Sequence, residues 1–182
     1  LVIPRGERPW LELSPPAMIN PRARQAILDA DLVVIAPGLL YASLAPALLV
    51  RGVTRALSET KAKKVYVCNL INKPQQTEGF TVSDYADEIE RFSGVKLDYV
   101  LYNNHRPSQT LIDKYAQDGE KLVEWDKEEL KSRHFYASGK RLISETIWVN
   151  DNAGSDPLAS QRSLIRHDAD GVARELMRIY FS

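Results

Sequence analysis

The 182 residues suffice for one domain with a proper core and fall short of two ordinary ones. Lys plus Arg number 24 and so do Asp plus Glu, leaving no overall field for a nucleic acid or an anionic membrane. No basic run is interleaved with aromatics, and no apolar stretch approaches the length of a membrane span. The lone cysteine, Cys68, excludes an internal disulfide and fits a reducing cytoplasm. Set among Val65, Tyr66 and Val67, it reads as a buried strand thiol.

In chain order, the opening Leu1-Val2-Ile3-Pro4-Arg5-Gly6 reads like the middle of something longer. Asn20 caps a helix that Pro21 opens, with Ala23, Ala26, Ile27 and Ala30 on its apolar face. Asp31 to Ile35 is a strand. A helix from about Leu44 to Ser58 follows, with Pro46 in its first turn and Leu48, Leu49, Val53, Ala56 and Leu57 facing inward. Lys63 to Leu70 is the next strand, and Ser83 caps a helix through Phe92 that Gly94 closes. Leu97 to Tyr102 is a third strand. Pro107 starts a helix that Gly119 ends. Lys121 to Trp125 reads as a short strand, Lys127 to Ser132 as a turn of helix, and Arg141 to Trp148 as another β-prone stretch. Asn150 to Pro157 is a polar loop, and Asp168 caps a last helix carrying Val172, Leu176, Ile179 and Tyr180.

Strands alternating with helices predict an α/β fold: a three-layer, mostly parallel, Rossmann-like sheet with helices on both faces. Residues 1–182 read as a single domain. Three clear strands and two or three weaker ones are fewer than the roughly five or six of doubly wound folds. Neither the dinucleotide fingerprint nor the Walker loop is present. Both shortfalls fit a chain that is the C-terminal part of a larger domain.

The junction from Asp31 to Leu44 stands out. An unbroken apolar run ends in Pro37-Gly38 and a helical pattern follows, so free backbone N–H groups converge where an anion can be held. A Pro-Gly pair also serves as plain punctuation, and both readings stay open here. In a parallel sheet, ligands bind beyond the carboxyl ends of the strands. That brings together the loops Ala36–Ser43, Asn69–Ser83 and Asn103–Ser108. Their amides, hydroxyls and cations suit a polar, phosphate-bearing ligand. The candidate ligand-binding residues are Pro37, Gly38, Leu39, Tyr41, Ser43, Asn69, Thr77, Asn103 and Asn104. No Ser/His/Asp order or Cys/His pairing nominates a catalytic residue. Asp84 and Asp87 read as capping or solvated and show no metal-ligand spacing. His105 reads as a solvated loop residue, His134 has no partner pattern, and His167 reads as a structural hydrogen-bonder. Trp10, Trp125 and Trp148 read as packing residues.

Two motif blocks carry a family resemblance: Asp31 to Arg55, and Lys64 to Leu70 followed by Thr77 to Asp84. They resemble the CofD-like family, and within it the YvcK-type gluconeogenesis factors. Members of that branch typically read Ala-Asp-Leu-Ile-Val-Ile-Gly-Pro-Gly-Ser-Leu-Tyr-Thr-Ser, then Val-Cys-Asn-Leu-Met-Thr-Gln-Pro-Gly-Glu-Thr, then Ser-Asp-His. Arg166-His167-Asp168 before the last helix is similar too. The departures are Ala36 for Gly, Leu39 for Ser, Ala42 for Thr, Gln75-Gln76 for Gly-Glu, and Tyr85 for His. The resemblance implies a cytoplasmic regulatory protein that binds a nucleotide or UDP-sugar and influences carbon metabolism, cell-wall supply and cell shape. The alternative it implies is a 2-phospho-L-lactate transferase moving phospholactyl from a guanylylated donor to a deazaflavin, with Mg2+ under that reading alone. A third reading is a non-catalytic scaffold whose open sheet edge pairs with a second copy as a homo-oligomer.

Overall fold

A computed structural model describes residues 3, 6–117, 119–144 and 165–182. Four strands form one parallel sheet in the order β1 (Leu32–Ile35), β2 (Lys63–Val67), β4 (Tyr99–Asn103), β6 (Tyr136–Lys140). Two residues each of β3 (Ile71–Asn72) and β5 (Lys121–Leu122) make a small antiparallel pair at the carboxyl end. The helices are α1 (Pro21–Asp29), α2 (Ala45–Leu48), α3 (Val53–Glu59), α4 (Val82–Ser93), α5 (Gln109–Gln117), α6 (Lys127–Lys131) and α7 (Ala169–Tyr180).

Period-two alternation on β2 and β4 sorts the core into layers. Tyr66, Cys68, Val100 and Tyr102 face one side, where α2, α3, α4 and α6 contribute Leu48, Leu57, Ile89 and Leu130. Val65, Val67 and Leu101 face the other side and meet Val172, Leu176 and Ile179 of α7. Helices on both faces of a parallel sheet are the architecture expected. A third cluster, with Leu70, Tyr115 of α5 and Ile143, underlies the small β3/β5 pair.

Local chemistry explains the best-formed elements. Asn20 Oδ1 accepts from the Arg22 N–H at 2.8 Å, with Pro21 at the first helical position. Helix α4 carries a reciprocal capping box: Thr81 Oγ1 accepts from the Asp84 N–H at 3.3 Å, and Asp84 Oδ2 accepts from the Thr81 N–H at 2.9 Å. Gly94 closes α4 with φ of 70°.

Several expectations change. The helix over Leu44–Ser58 is interrupted, because Gly52 takes φ of 95° and Arg51 bridges to Met18. A Cβ at Gly52 would lie 2.7 Å from Ile19 Cγ2, so the break is built into the packing. Thr81, not Ser83, caps α4, and Ser83 is buried as the second residue of the helix. The fourth parallel strand is Tyr136–Lys140, ahead of the Arg141–Trp148 stretch where another strand was expected. Of that stretch, Leu142 donates its N–H to Asn103 Oδ1 and Ile143 makes one bridge to His167. Residues 145–148 and the polar loop at 150–157 lie outside the described residues. The Lys121–Trp125 strand shrinks to Lys121–Leu122, outside the main sheet. The helix expected from Pro107 begins at Gln109. Asp168 holds the N-cap position of α7 without a side-chain cap bond. Trp10 is 86% exposed, so it is not a packing residue. His134 does have a partner, Glu90 Oε1 at 2.6 Å.

Gly139 stands directly opposite Tyr102, and a Cβ there would lie 2.6 Å from the phenol ring. Gly139→Ala should therefore cost about 1–3 kcal/mol by overpacking, read as a lower urea midpoint. His167 Nε2–H donates to the Cys68 carbonyl at 3.1 Å, and burial lowers the imidazole's pKa more than this bond raises it. Its folded value lies below the unfolded one, so the unfolded chain binds more protons in acid. The benefit of the neutral ring is complete above the ordinary histidine value of about 6.5 and is lost as pH falls below it. The stability difference between the native chain and His167→Gln should thus change between pH 7.5 and 5.5, the native chain losing more. A pH-independent difference in urea titrations would contradict this assignment.

Candidate functional site

The chain leaves β1 at Ile35, turns through Ala36–Leu39 and enters a π-helical turn, Leu40–Leu44, that continues into α2. Leu39 O accepts from both the Ser43 and Leu44 N–H groups, at 2.8 and 3.1 Å. The amides that open such a turn have no partner within it. Pro37, Leu39 and Ser43 are exposed, and Gly38 is half-buried.

Two side chains fix this turn from opposite directions. From the sheet, Asn69 Nδ2 donates to Gly38 O at 2.8 Å, and Asn69 Oδ1 accepts from the Tyr66 hydroxyl at 3.0 Å. From α4, Glu88 Oε2 accepts from the Tyr41 hydroxyl at 3.1 Å, and Tyr41 packs edge-on against Phe92 at 6.0 Å. The Glu88 side chain is 0% exposed, and its carboxylate also accepts from Arg91 Nε and Nη2 at 2.9 and 2.6 Å and from Arg8 Nη1 at 3.1 Å. Burial and the Glu88 charge hold the Tyr41 phenol well above its ordinary pKa, so it remains a donor. Burial does the same to Tyr66, and it pushes the Cys68 thiol up to about 12. Cys68 is therefore an unreactive thiol in a strand environment, as its neighbours suggest.

The second loop is shaped from within. Thr77 is buried, and its Oγ1 accepts from the Lys73 N–H and from the Tyr85 hydroxyl, each at 2.9 Å. Tyr85, where the resembling family has His, thus spans to Thr77 and packs edge-on against Phe80. Gln75, where that family has Gly, takes φ of 61°. This left-handed backbone costs a residue with a Cβ about 1–2 kcal/mol, a cost glycine would not bear.

In the third loop Asn103 Nδ2 donates to His105 O at 2.6 Å, Asn103 Oδ1 accepts from the Leu142 N–H at 3.0 Å, and the Asn104 N–H donates to Lys140 O at 2.9 Å. Arg106 forms an ion pair with Glu124. A narrow cleft between the second and third loops is lined by Asn69, Asn103, His105, Arg106 and Glu124, with Tyr102 and Trp125 among its walls.

The structure therefore brings Gly38 and Asn69 into contact and sets Asn69 and Asn103 on one cleft. Tyr41 and Thr77 turn inward and support the loops that carry the others. The sequence reading missed Glu88, Arg8 and Glu124. The i, i+3 spacing of Glu88 and Arg91 was a visible signal for one ion pair, whereas the Arg8 contact spans 80 positions and had none. Among the described residues no three His, Cys, Asp or Glu side chains are grouped to hold a metal ion.

The family model described as 2-phospho-L-lactate transferase CofD matches residues 6–143. A relative from Thermotoga maritima is 36% identical over 169 residues, covering 93% of this chain and 50% of its own length. A Bacillus subtilis protein named gluconeogenesis factor is 32% identical over 158 residues, covering 86% of this chain and 45% of its own length. The crystal structure of a UPF0052 family member from Bacillus halodurans superposes with a TM-score of 0.75 at 29% identity, covering 88% of this chain and 46% of that one. This chain thus spans about half the length of these relatives. It belongs to the CofD family, and the relatives it matches over most of its own length are named gluconeogenesis factors.

Proposed function

We propose that the chain supplies one wall of a nucleotide-sugar site, in a regulatory protein of carbon metabolism rather than a catalyst. The observation that carries this reading is the Asn69 clamp. It joins the Gly38 turn to the end of β2 beside the Asn103 cleft, at the carboxyl end of the parallel strands. Ligands of open α/β sheets bind there. The turn between Pro37 and Ser43 offers backbone N–H groups to a diphosphate, Asn69 and Asn103 shape the wall through their bonds to Gly38 O, Tyr66, His105 O and Leu142, and the Asn104 side chain serves a sugar or base. Tyr41 and Thr77 hold the walls in shape. The names of the relatives support a regulatory role; the name of the family model supports phospholactyl transfer as the second reading. Residues 1–182 act in either case as one unit, and no described helix is long and apolar enough to cross a membrane.

Titration calorimetry of the chain with UDP-glucose, UDP-N-acetylglucosamine and GDP separates the readings. The UDP-sugars should bind, and Asn69→Ala should weaken them by about tenfold, the equivalent of one or two lost hydrogen bonds. Binding of GDP or a deazaflavin without UDP-sugar binding would favour the transferase. UDP-sugar affinity unaltered in Asn69→Ala would move the site away from this turn.

A further inference from the structure

Helix α7 carries two apolar stripes, where a helix lying on a sheet needs one. Val172, Leu176 and Ile179 face the sheet and pack with Val65, Val67 and Leu101. Ala173, Met177 and Phe181, spaced four apart, form a second row on the opposite side. Met177 is 51% exposed and Phe181 is 78% exposed. Tyr180 adds its ring edge-on to Phe181, with centroids 4.8 Å apart. A broad open groove follows this row, lined also by Asp170, Arg174 and Arg178. A continuous apolar strip with a charged rim is the signature of a surface that another chain covers. The charges are ordered along it. Asp170 lies in the first turn of the helix and has no ion-pair partner among the described residues, and Arg174 and Arg178 follow one and two turns later. The two arginines reach Asp168 at 3.6 Å and Glu175 at 2.6 Å, but about two thirds of each side chain is exposed, so these bonds are exchanged at little cost.

We propose that a second copy of this chain covers the groove, with α7 of one copy antiparallel to α7 of the other about a two-fold axis. The charge order selects this arrangement. An axis passing near Arg174 sets Asp170 of each copy opposite Arg178 of the other, four residues to either side of the centre. It also lets the long Met177 side chain of each copy reach the small Ala173 of the other. A parallel pairing would set Asp170 against Asp170 and Arg178 against Arg178, which like charges disfavour. The contact is self-complementary, as a two-fold interface must be. A helix of twelve residues is about 18 Å long, so the interface lies at the small end, about 1,000 Å² in total, and the dimer is weak and reversible. This surface is distinct from the outer edge of β1, the other place where a second copy can pair.

The test is analytical ultracentrifugation through the micromolar range, on the chain and on Met177→Lys, Asp170→Arg, Arg178→Asp and Val34→Lys. The native chain should pass from monomer to dimer as its concentration rises. Met177→Lys should raise the dissociation constant about tenfold or more, because a two-fold contact carries the change twice. Asp170→Arg and Arg178→Asp should each weaken the dimer several-fold, since like charges then face each other. An equimolar mixture of these two variants should dimerise as the native chain does, each new arginine meeting a new aspartate. Recovery on mixing requires a contact between copies, and a folding defect in either variant would not produce it. Val34→Lys, on the outer edge of β1, should leave the dimer unchanged. A native chain that stays monomeric throughout would overturn the proposal, and so would a mixture no better than its components. Loss of the dimer in Val34→Lys with its retention in Met177→Lys would place the contact on the sheet edge and overturn it as well.

Discussion

The Glu88 carboxylate is the point on which the site half of the molecule depends. Fully buried, it gathers a phenol from the strand-end turn, one arginine from its own helix and one from the segment ahead of α1. A buried carboxylate is tolerable only when such partners surround it, and removing one partner of a buried pair typically costs about 3–5 kcal/mol. The arrangement is therefore close to all-or-none. It fixes where Tyr41 stands, and Tyr41 fixes where the turn before α2 begins. Arg91 also donates to Pro9 O and lies 4.1 Å over the Phe92 ring, so the same cluster straps the early segment onto α4.

The site is assembled from tertiary contacts more than from motifs. Gly38 is held through an asparagine 31 positions away, and Asn103 is held by the amide of Leu142. The departures from the family pattern fit this logic. Tyr85 reaches Thr77 with its hydroxyl, and Gln75 adopts the backbone expected of glycine. Substitutions that look like losses of ligand contacts are also changes of internal scaffolding.

How much was legible follows from where the information is stored. Helix α4 could be read because apolar residues recur at helical period and Gly94 marks its end, although the sequence reading puts the cap at Ser83 and the structure has it at Thr81, two residues earlier. β2 could be read because its part covered on both faces, Val65-Tyr66-Val67 with Cys68 beyond it, is an unbroken apolar run. The interrupted helix was hidden because Leu48, Leu49, Val53, Ala56 and Leu57 keep an apolar period across the break, and only Gly52 marked it. β6 was hidden for the opposite reason. Tyr136-Ala137-Ser138-Gly139-Lys140 has little strand character of its own, and its glycine is explained by the Tyr102 ring across the ladder. The loops at the strand ends were recognised as a group, since topology alone brings them together. Their ion pairs, such as Arg106 with Glu124, depend on side-chain placement that no local pattern encodes.

Among the described residues one face of the sheet carries several helices and the other carries α7, which Lys63 anchors by donating to Ile179 O at 2.8 Å. Tyr66 and Val67 are chain neighbours, yet one belongs to each core. Opening the α7 side would wet Val67 and loosen the strand whose next turn delivers Asn69. Through β2 the twelve-residue helix α7 is thus coupled to the Gly38 turn it never touches, by way of the strand end that Asn69 extends.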